Sequence, residues 1–188
     1  AANLRYEDFE TLLRPDTRAV IVTAASNVTG NLTDLRRIGD FCRRNELVYI
    51  VDASQSAGIY DLDMEKLGID VLCTTGHKSL YGPQGTGLIA LGRPLDFTPV
   101  FAGGSGAHSF DHGHPSSVPD VFESGTLNTP GAVGLTAGME YVEQLGYDNI
   151  QLKLNALMKQ FTEGISVIPG ITVYGDLAAA HRAPVIGI

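Results

Sequence analysis

The sequence predicts an α/β protein built on a mainly parallel mixed sheet with helices on both faces. Three observations lead there. Short, continuous, β-branched runs such as Ala19-Val20-Ile21-Val22-Thr23-Ala24 and Leu47-Val48-Tyr49-Ile50-Val51 have the character of strands covered on both sides. An amphipathic stretch long enough for a crossover between parallel neighbours separates them. A third run, Asp70-Val71-Leu72-Cys73-Thr74, is followed by Leu88-Ile89-Ala90-Leu91, with only Gly76 to Gly87 between. That gap is too short for a crossover helix, so the last strand is expected to be antiparallel.

In chain order, Tyr6, Phe9, Leu12 and Leu13 recur at helical spacing until Pro15 stops the helix. The first strand then runs into the polar turn Ser26-Asn27-Val28-Thr29-Gly30. A helix from about Thr33 to Asn45 places Leu35, Ile38, Phe41 and Cys42 on one face. The second strand ends at Asp52, and a small-residue turn leads to a short helix near Met64 to Leu67 and the third strand. Arg93 to Thr129 is rich in Gly, Pro, His and Ser without sustained period, as long functional loops often are. Helix returns at Pro130 to Leu145. Gly146 marks a break before a second amphipathic stripe through Ile150, Leu154, Leu157, Met158, Phe161 and Ile165. Ile171-Thr172-Val173-Tyr174 and Val185 to Ile188 are expected to be the first strands of a second, smaller unit.

The chain has 188 residues, 44% of them hydrophobic, enough for a sizeable core. Thirteen Lys and Arg against 21 Asp and Glu give a net charge of −8, which disfavours nucleic acid and anionic membranes as partners. No uncharged apolar run approaches the roughly 18 residues a membrane span needs. The start has no signal-peptide layout, so a cytoplasmic location is expected. Cys42 and Cys73 are far apart and form no CxxC, which supports buried thiols over a disulfide framework or zinc ribbon. The sequons at Asn27 and Asn31 would matter only in a secreted protein. A first residue other than Met, and a last segment that reads as a partnerless strand, lead us to expect a fragment.

In open α/β sheets ligands collect beyond the carboxyl ends of the strands. Those ends deliver Ser26-Asn27, Asp52-Ala53-Ser54-Gln55 and Thr74-Thr75-Gly76-His77-Lys78. Lys66, Lys153 and Lys159 lie on helices beside polar positions, where a solvated charge is expected. Lys78 instead follows a buried strand and precedes the glycine-rich Ser79-Leu80-Tyr81-Gly82-Pro83-Gln84-Gly85-Thr86-Gly87, a turn that lets backbone approach a ligand. With an ordinary pKa of about 10.4, roughly one lysine in a few thousand is neutral at pH 7, so a nucleophilic lysine needs a site that depresses its pKa. A carbonyl cofactor held as a Schiff base meets that need. Spacing alone leaves a surface or ion-paired Lys78 and a catalytic one on equal footing. Asp52 is either a cap for the turn after it or a carboxylate paired with a protonated ring nitrogen, as a pyridinium electron sink requires. The glycines lack both the Gly-Lys-Ser/Thr of a P-loop and GxGxxG spacing. His108, His112 and His114 have metal-ligand spacing, but in a loop where a flexible segment is the favoured reading, and no metal is expected.

Four motifs then occur in order: Ser26-Asn27-Val28-Thr29-Gly30, Asp52-Ala53-Ser54-Gln55-Ser56-Ala57-Gly58, Thr75-Gly76-His77-Lys78 with Gly82-Pro83-Gln84-Gly85-Thr86-Gly87, and Phe122-Glu123-Ser124-Gly125-Thr126-Leu127-Asn128. Together they resemble the class V aminotransferases, fold type I enzymes dependent on pyridoxal 5'-phosphate, and within them the cysteine desulfurase and selenocysteine lyase group. The resemblance covers nearly the whole chain. It implies that Lys78 carries the cofactor as an aldimine and then acts as the proton-transfer base, and that Asp52 pairs with the pyridine nitrogen. It further implies that Gln55 and Asn27 bond the phenolic oxygen or substrate carboxylate, and that Thr75 and His77 bind the phosphate. Gly125 and Thr126 resemble the segment that reaches a neighbouring subunit's phosphate, so a homodimer is implied. The substrate implied is a small amino acid losing sulfur or selenium, with a possible sulfur-acceptor protein; another class V aminotransferase or lyase activity, or a truncated chain that only folds and dimerises, is the alternative. Residues 1–146 would be part of the large cofactor-binding domain and 147–188 the beginning of the small C-terminal one. Ala24 stands where many members have His, and neither Cys42 nor Cys73 matches the reactive cysteine of true desulfurases. That cysteine, a substrate-binding arginine, a further phosphate loop and a ring-stacking side chain belong to parts of the family outside this chain.

Overall fold

The structure, a computed structural model, describes residues 4–106, 110–177, 179 and 182–188. Four strands, β1 (Ala19–Thr23), β2 (Val48–Asp52), β3 (Val71–Thr75) and β4 (Gly87–Leu91), form one sheet in the order β1-β2-β3-β4. β1 and β3 both pair with β2 in parallel, and β4 pairs with β3 antiparallel, as the short gap before it required. The sheet is therefore mixed, with its parallel carboxyl ends on one edge.

Two helices close one face. α1 (Glu7–Leu12) and α2 (Leu35–Arg44) flank β1 in sequence. The Asp34 carboxylate caps α2 by accepting the Arg37 N–H at 3.0 Å, satisfying a donor the first turn leaves without an intrahelical partner. The face of α2 bearing Leu35, Ile38, Phe41 and Cys42 packs with Tyr49, Val51 and Leu72, and Phe9 of α1 meets Phe41 edge-on with ring centroids 5.7 Å apart. Each such aliphatic side chain contributes on the order of 1.5–3 kcal/mol when fully buried. Tyr49 is fully buried, yet its hydroxyl donates to the Leu35 carbonyl at 3.2 Å. Gly39 brings α2 against the Leu67 carbonyl at the end of α3 (Met64–Leu67), an approach a methyl group would block. Gly68, at φ 70°, closes that helix in the left-handed region.

On the opposite face, among the described residues, Ile21 of edge strand β1 is 71% exposed and Ile89 of edge strand β4 49%. β1 accordingly alternates exposed and half-buried side chains along its length.

Among the described residues between β4 and Asn128, the regular structure is a 3₁₀ turn at Asp120–Phe122, where Phe97 and Phe122 meet with centroids 4.7 Å apart. α4 (Thr129–Leu145) and α5 (Tyr147–Ser166) follow, divided at Gly146 as its position suggested. α5 folds back so that Gln151 donates to the Ile59 carbonyl at 3.2 Å. The two strands expected after Ile171 are reduced to one antiparallel bridge, Tyr174 with Gly187. Two short segments pairing only with each other have no ladder to extend, and the tail is held instead by contacts with the Asn27 turn described below.

Candidate active site

The ends of β1, β2 and β3 are tied directly to one another. In the register Asp52 lies beside Thr23 on one side and Cys73 on the other. The Ala24 N–H donates to the Asp52 carbonyl, and the Ala53 N–H to the Cys73 carbonyl, each at 2.8 Å. The three chain segments expected to carry chemistry therefore leave one edge of the sheet together.

Asp52 sits on the open face, because Val51 before it points into the core. Its Oδ1 accepts the Ser54 N–H at 2.9 Å, so the capping role read from sequence is real. Oδ2 accepts no hydrogen bond from the described residues, so the cap leaves the carboxylate able to serve a second partner. Burial pushes the neighbouring Cys73 thiol up from its ordinary pKa, and the Asp52 charge adds to that shift.

The turn after Asp52 runs through Ser54 to Ile59, with Gln55 half-buried. Gly58, at φ 83°, packs against Ser79 and Leu80, where a Cβ would stand 3.1 Å from the Leu80 nitrogen and closer still to the Ser79 backbone. A side chain at 58 would thus separate the Asp52 turn from the lysine loop.

Thr75, the last residue of β3, is half-buried, and its Oγ1 is buried without a hydrogen-bond partner among the described residues. His77 and Lys78 are exposed. Lys78 makes no ion pair among the described residues, so its ammonium is not committed to a structural partner. The loop that follows is folded tightly: the Gly76 N–H donates to Thr86, the Gly82 N–H to Gly76 and the Tyr81 N–H to Lys78, at 2.8, 2.8 and 3.0 Å. Tyr81 adopts φ 57°, unusual for a bulky residue, and its ring meets Tyr141 of α4 edge-on with centroids 5.5 Å apart.

Asn27 is exposed at the tip of its turn. Ser26 Oγ accepts the N–H groups of Val28 and Thr29 at 3.2 and 3.1 Å, which fixes the backbone on either side of Asn27. Gly125 and Thr126 lie in an exposed run, and the Gly125 N–H donates to the Gly104 carbonyl at 2.7 Å. Among the described residues no hydrogen bond joins them to the Lys78 loop. α4 begins three residues later, however, and lies on that loop.

That helix was missed as part of the site. Gly131, Gly134 and Gly138 present one face: Gly131 meets Thr86, Gly134 meets Pro83 and Gly138 meets Leu80 and Tyr81, while Leu135 inserts between Gly76 and Gly82. The Gly-x-x-Gly-x-x-x-Gly spacing was legible, but nothing in sequence said which surface it faced. Of the histidine cluster, His108 lies outside the described residues, His112 is exposed, and His114 Nε2 lies 3.1 Å from the Asp120 carbonyl. No group of three metal-ligating side chains occurs among the described residues. Nor is any described helix long and apolar enough to cross a membrane.

The model of the family described as aminotransferase class V matches residues 1–188. A probable cysteine desulfurase of Xylella fastidiosa is 33% identical over 187 residues, covering 97% of this chain and 44% of its own. A cysteine desulfurase of Salmonella newport is 34% identical over 188 residues, covering 97% and 45%. Among solved structures, the apo cysteine desulfurase of Thermococcus onnurineus superimposes with a TM-score of 0.79 at 28% identity, covering 98% of this chain and 47% of that one. A cysteine desulfurase from Escherichia coli gives 0.77 at 27% identity, covering 89% and 43%. The chain thus spans somewhat under half the length of the relatives it matches. A full-length family match, relatives at a third identity and the mixed sheet with its lysine loop agree: the chain belongs to the class V aminotransferase family.

Proposed function

We propose that this chain is the motif-bearing part of a pyridoxal phosphate enzyme that removes sulfur or selenium from a cysteine-like amino acid. The observation that carries this reading is the placement of Asp52, whose Oδ2 accepts no hydrogen bond from the described residues, at the end of β2, and of Lys78 in the loop that leaves the adjoining β3. The names of the relatives favour desulfuration over transamination.

The residues fit the cofactor. Thr75 Oγ1 is buried and unpaired, a condition that costs free energy and that a phosphate oxygen would relieve. When bound, pyridoxal phosphate supplies an electron sink for carbanion charge. Lys78 is the amine that would hold its aldehyde carbon, and the Lys78 Nζ would be the group that accepts and returns the substrate's α-proton. The Asp52 carboxylate would pair with the pyridine nitrogen and favour a proton there. Thr75 and His77 hold the phosphate, and Gln55 and Asn27 orient the phenolic oxygen or the substrate carboxylate.

Neither cysteine suits the role of sulfur-accepting thiolate. Burial pushes the Cys42 thiol up to about 11, and Cys73 is shifted the same way, so both stay protonated near neutrality. The acceptor thiol therefore belongs to other residues of the whole protein or to a partner. Our reading includes a homodimer joined through the exposed run carrying Gly125 and Thr126, with 1–146 as part of the large domain and 147–188 as the start of the small one. It also includes a cytoplasmic setting, consistent with two free thiols.

The test is the visible absorption spectrum with pyridoxal phosphate, before and after borohydride reduction, beside Lys78→Ala. A reducible band present in the wild type and lost in the variant is expected; a folded wild type without the band overturns the reading.

A further inference from the structure

The tail of the described chain is fastened to the Asn27 turn through a buried arginine. Arg182 is only 8% exposed. Its Nη2 donates to the carbonyls of Thr29 and Val185, and its Nη1 to that of Asp176. Its Nε is buried with no partner among the described residues. Around it the Ala183 N–H donates to the Gly30 carbonyl at 2.9 Å, the Asp176 N–H to Asn31 Oδ1 at 2.8 Å, and the Tyr60 hydroxyl to Arg182's own carbonyl at 2.7 Å. Two glycines at positive φ make the approach possible: a Cβ on Gly30 would stand 2.7 Å from the Ala183 oxygen, and one on Gly175 the same distance from that of Thr29.

We propose that Arg182 is a positioning residue for Asn27, and this rests on the reading of Asn27 as part of the cofactor and substrate site. Asn27 lies between two fixed points. Ser26 Oγ holds the N–H groups of Val28 and Thr29, and Arg182 holds the Thr29 carbonyl on the other side of that peptide chain. A residue more than 150 positions away thus sets the backbone from which Asn27 reaches the site. Fastening the tail needs no such group, because the Ala183 N–H to the Gly30 carbonyl and the Asp176 N–H to Asn31 Oδ1 already do so. A buried guanidinium with an unpaired Nε costs free energy, and the planar fork is what lets one side chain grip carbonyls from two segments at once. Lysine, a point charge on a flexible stem, cannot span them.

The experiment is a double-mutant cycle in the pyridoxal phosphate-loaded protein, with Arg182→Lys and Asn27→Ala singly and together, read as KM and kcat for cysteine and as the dissociation constant of pyridoxal phosphate. Losing one charge-assisted bond to the turn corresponds to about a tenfold loss in KM or cofactor affinity. In the Asn27→Ala background the same substitution should add less than about twofold, because its effect passes through Asn27. Equal effects in both backgrounds would make Arg182 merely structural and overturn the proposal. Amide hydrogen exchange at residues 28–31 should quicken in Arg182→Lys protein without cofactor, and unchanged exchange overturns it too. That readout needs no catalysis, so it separates failure of this inference from failure of the proposed reaction, which the Lys78→Ala spectrum reports. Should Arg182→Lys not fold, Tyr60→Phe removes one bond of the same clasp and should give a smaller change with the same dependence on Asn27.

Discussion

Replacing Gly138 by alanine tests whether α4 holds the lysine loop in place. The added methyl would stand 2.9 Å from the Tyr81 carbonyl carbon and 3.1 Å from its oxygen, and closer than either to the Leu80 oxygen. All three are backbone atoms, so no flexible side-chain tip can swing aside. Overpacking of this kind costs roughly 1–3 kcal/mol, and its rigid partners place it in the upper part of that range. Alanine regains about 1 kcal/mol of helix propensity over glycine. The net expectation is a loss of about 1–2 kcal/mol, or roughly 2–8 °C in Tm for a chain of this length. Gly164 of α5 supplies the internal control, because a Cβ there meets nothing within 4 Å. Gly164→Ala should gain up to about 1 kcal/mol and raise Tm by roughly 2–4 °C. Thermal melts followed by circular dichroism read both. A Gly138→Ala protein melting at or above the wild-type temperature would refute the argument, as would two shifts of the same sign.

Two further outcomes follow from buried groups near the sheet. Thr75→Val removes a buried hydroxyl that has no partner among the described residues, so it should leave the cofactor-free protein as stable as before or more so while weakening pyridoxal phosphate binding on the order of tenfold; a titration showing unchanged affinity would remove Thr75 from the phosphate site. Cys42 is an acid whose folded pKa, about 11, lies above the ordinary 9.0, so the folded state keeps a proton that the unfolded chain releases. Its stabilisation is whole below pH 9 and is lost as pH rises through 11, an effect on the order of 1–3 kcal/mol. The Tm difference between wild type and Cys42→Ala should therefore shrink between pH 9 and 11, and a constant difference would count against the shift.

What the sequence disclosed and what it hid divide along the range of the interactions. β1 to β3 were legible because each is a continuous apolar run bounded by a helix or turn, and the direction of β4 followed from the length of the loop before it. Asp52 and Lys78 were legible as strand-end residues of unusual context, and parallel pairing carried them to one edge. Arg182 was not legible, since its partners are carbonyls of residues that no local pattern links to it. The same holds for Gly138, whose role depends on which surface α4 meets. The exposure of Ile21 and Ile89 was not legible for a related reason: a β-branched run records that both faces are to be covered, not which residues cover them.

The connection that carries Lys78 is also the shortest in the sheet. Residues 76–86 join β3 to β4, whereas residues 24–47 and 53–70 separate the other neighbouring strands. Loop-closure entropy rises with length, so β3 and β4 have the least to overcome in meeting, and a loop of about ten residues closes in roughly 10–100 ns. In kinetic terms the lysine loop should be drawn shut by its own hairpin before the crossover through α2 is complete. Substitutions at Cys73 or Ile89 should then slow refolding, while substitutions at Val20 mainly speed unfolding. The reverse pattern in stopped-flow measurements would place the nucleus on the α2 side of the sheet.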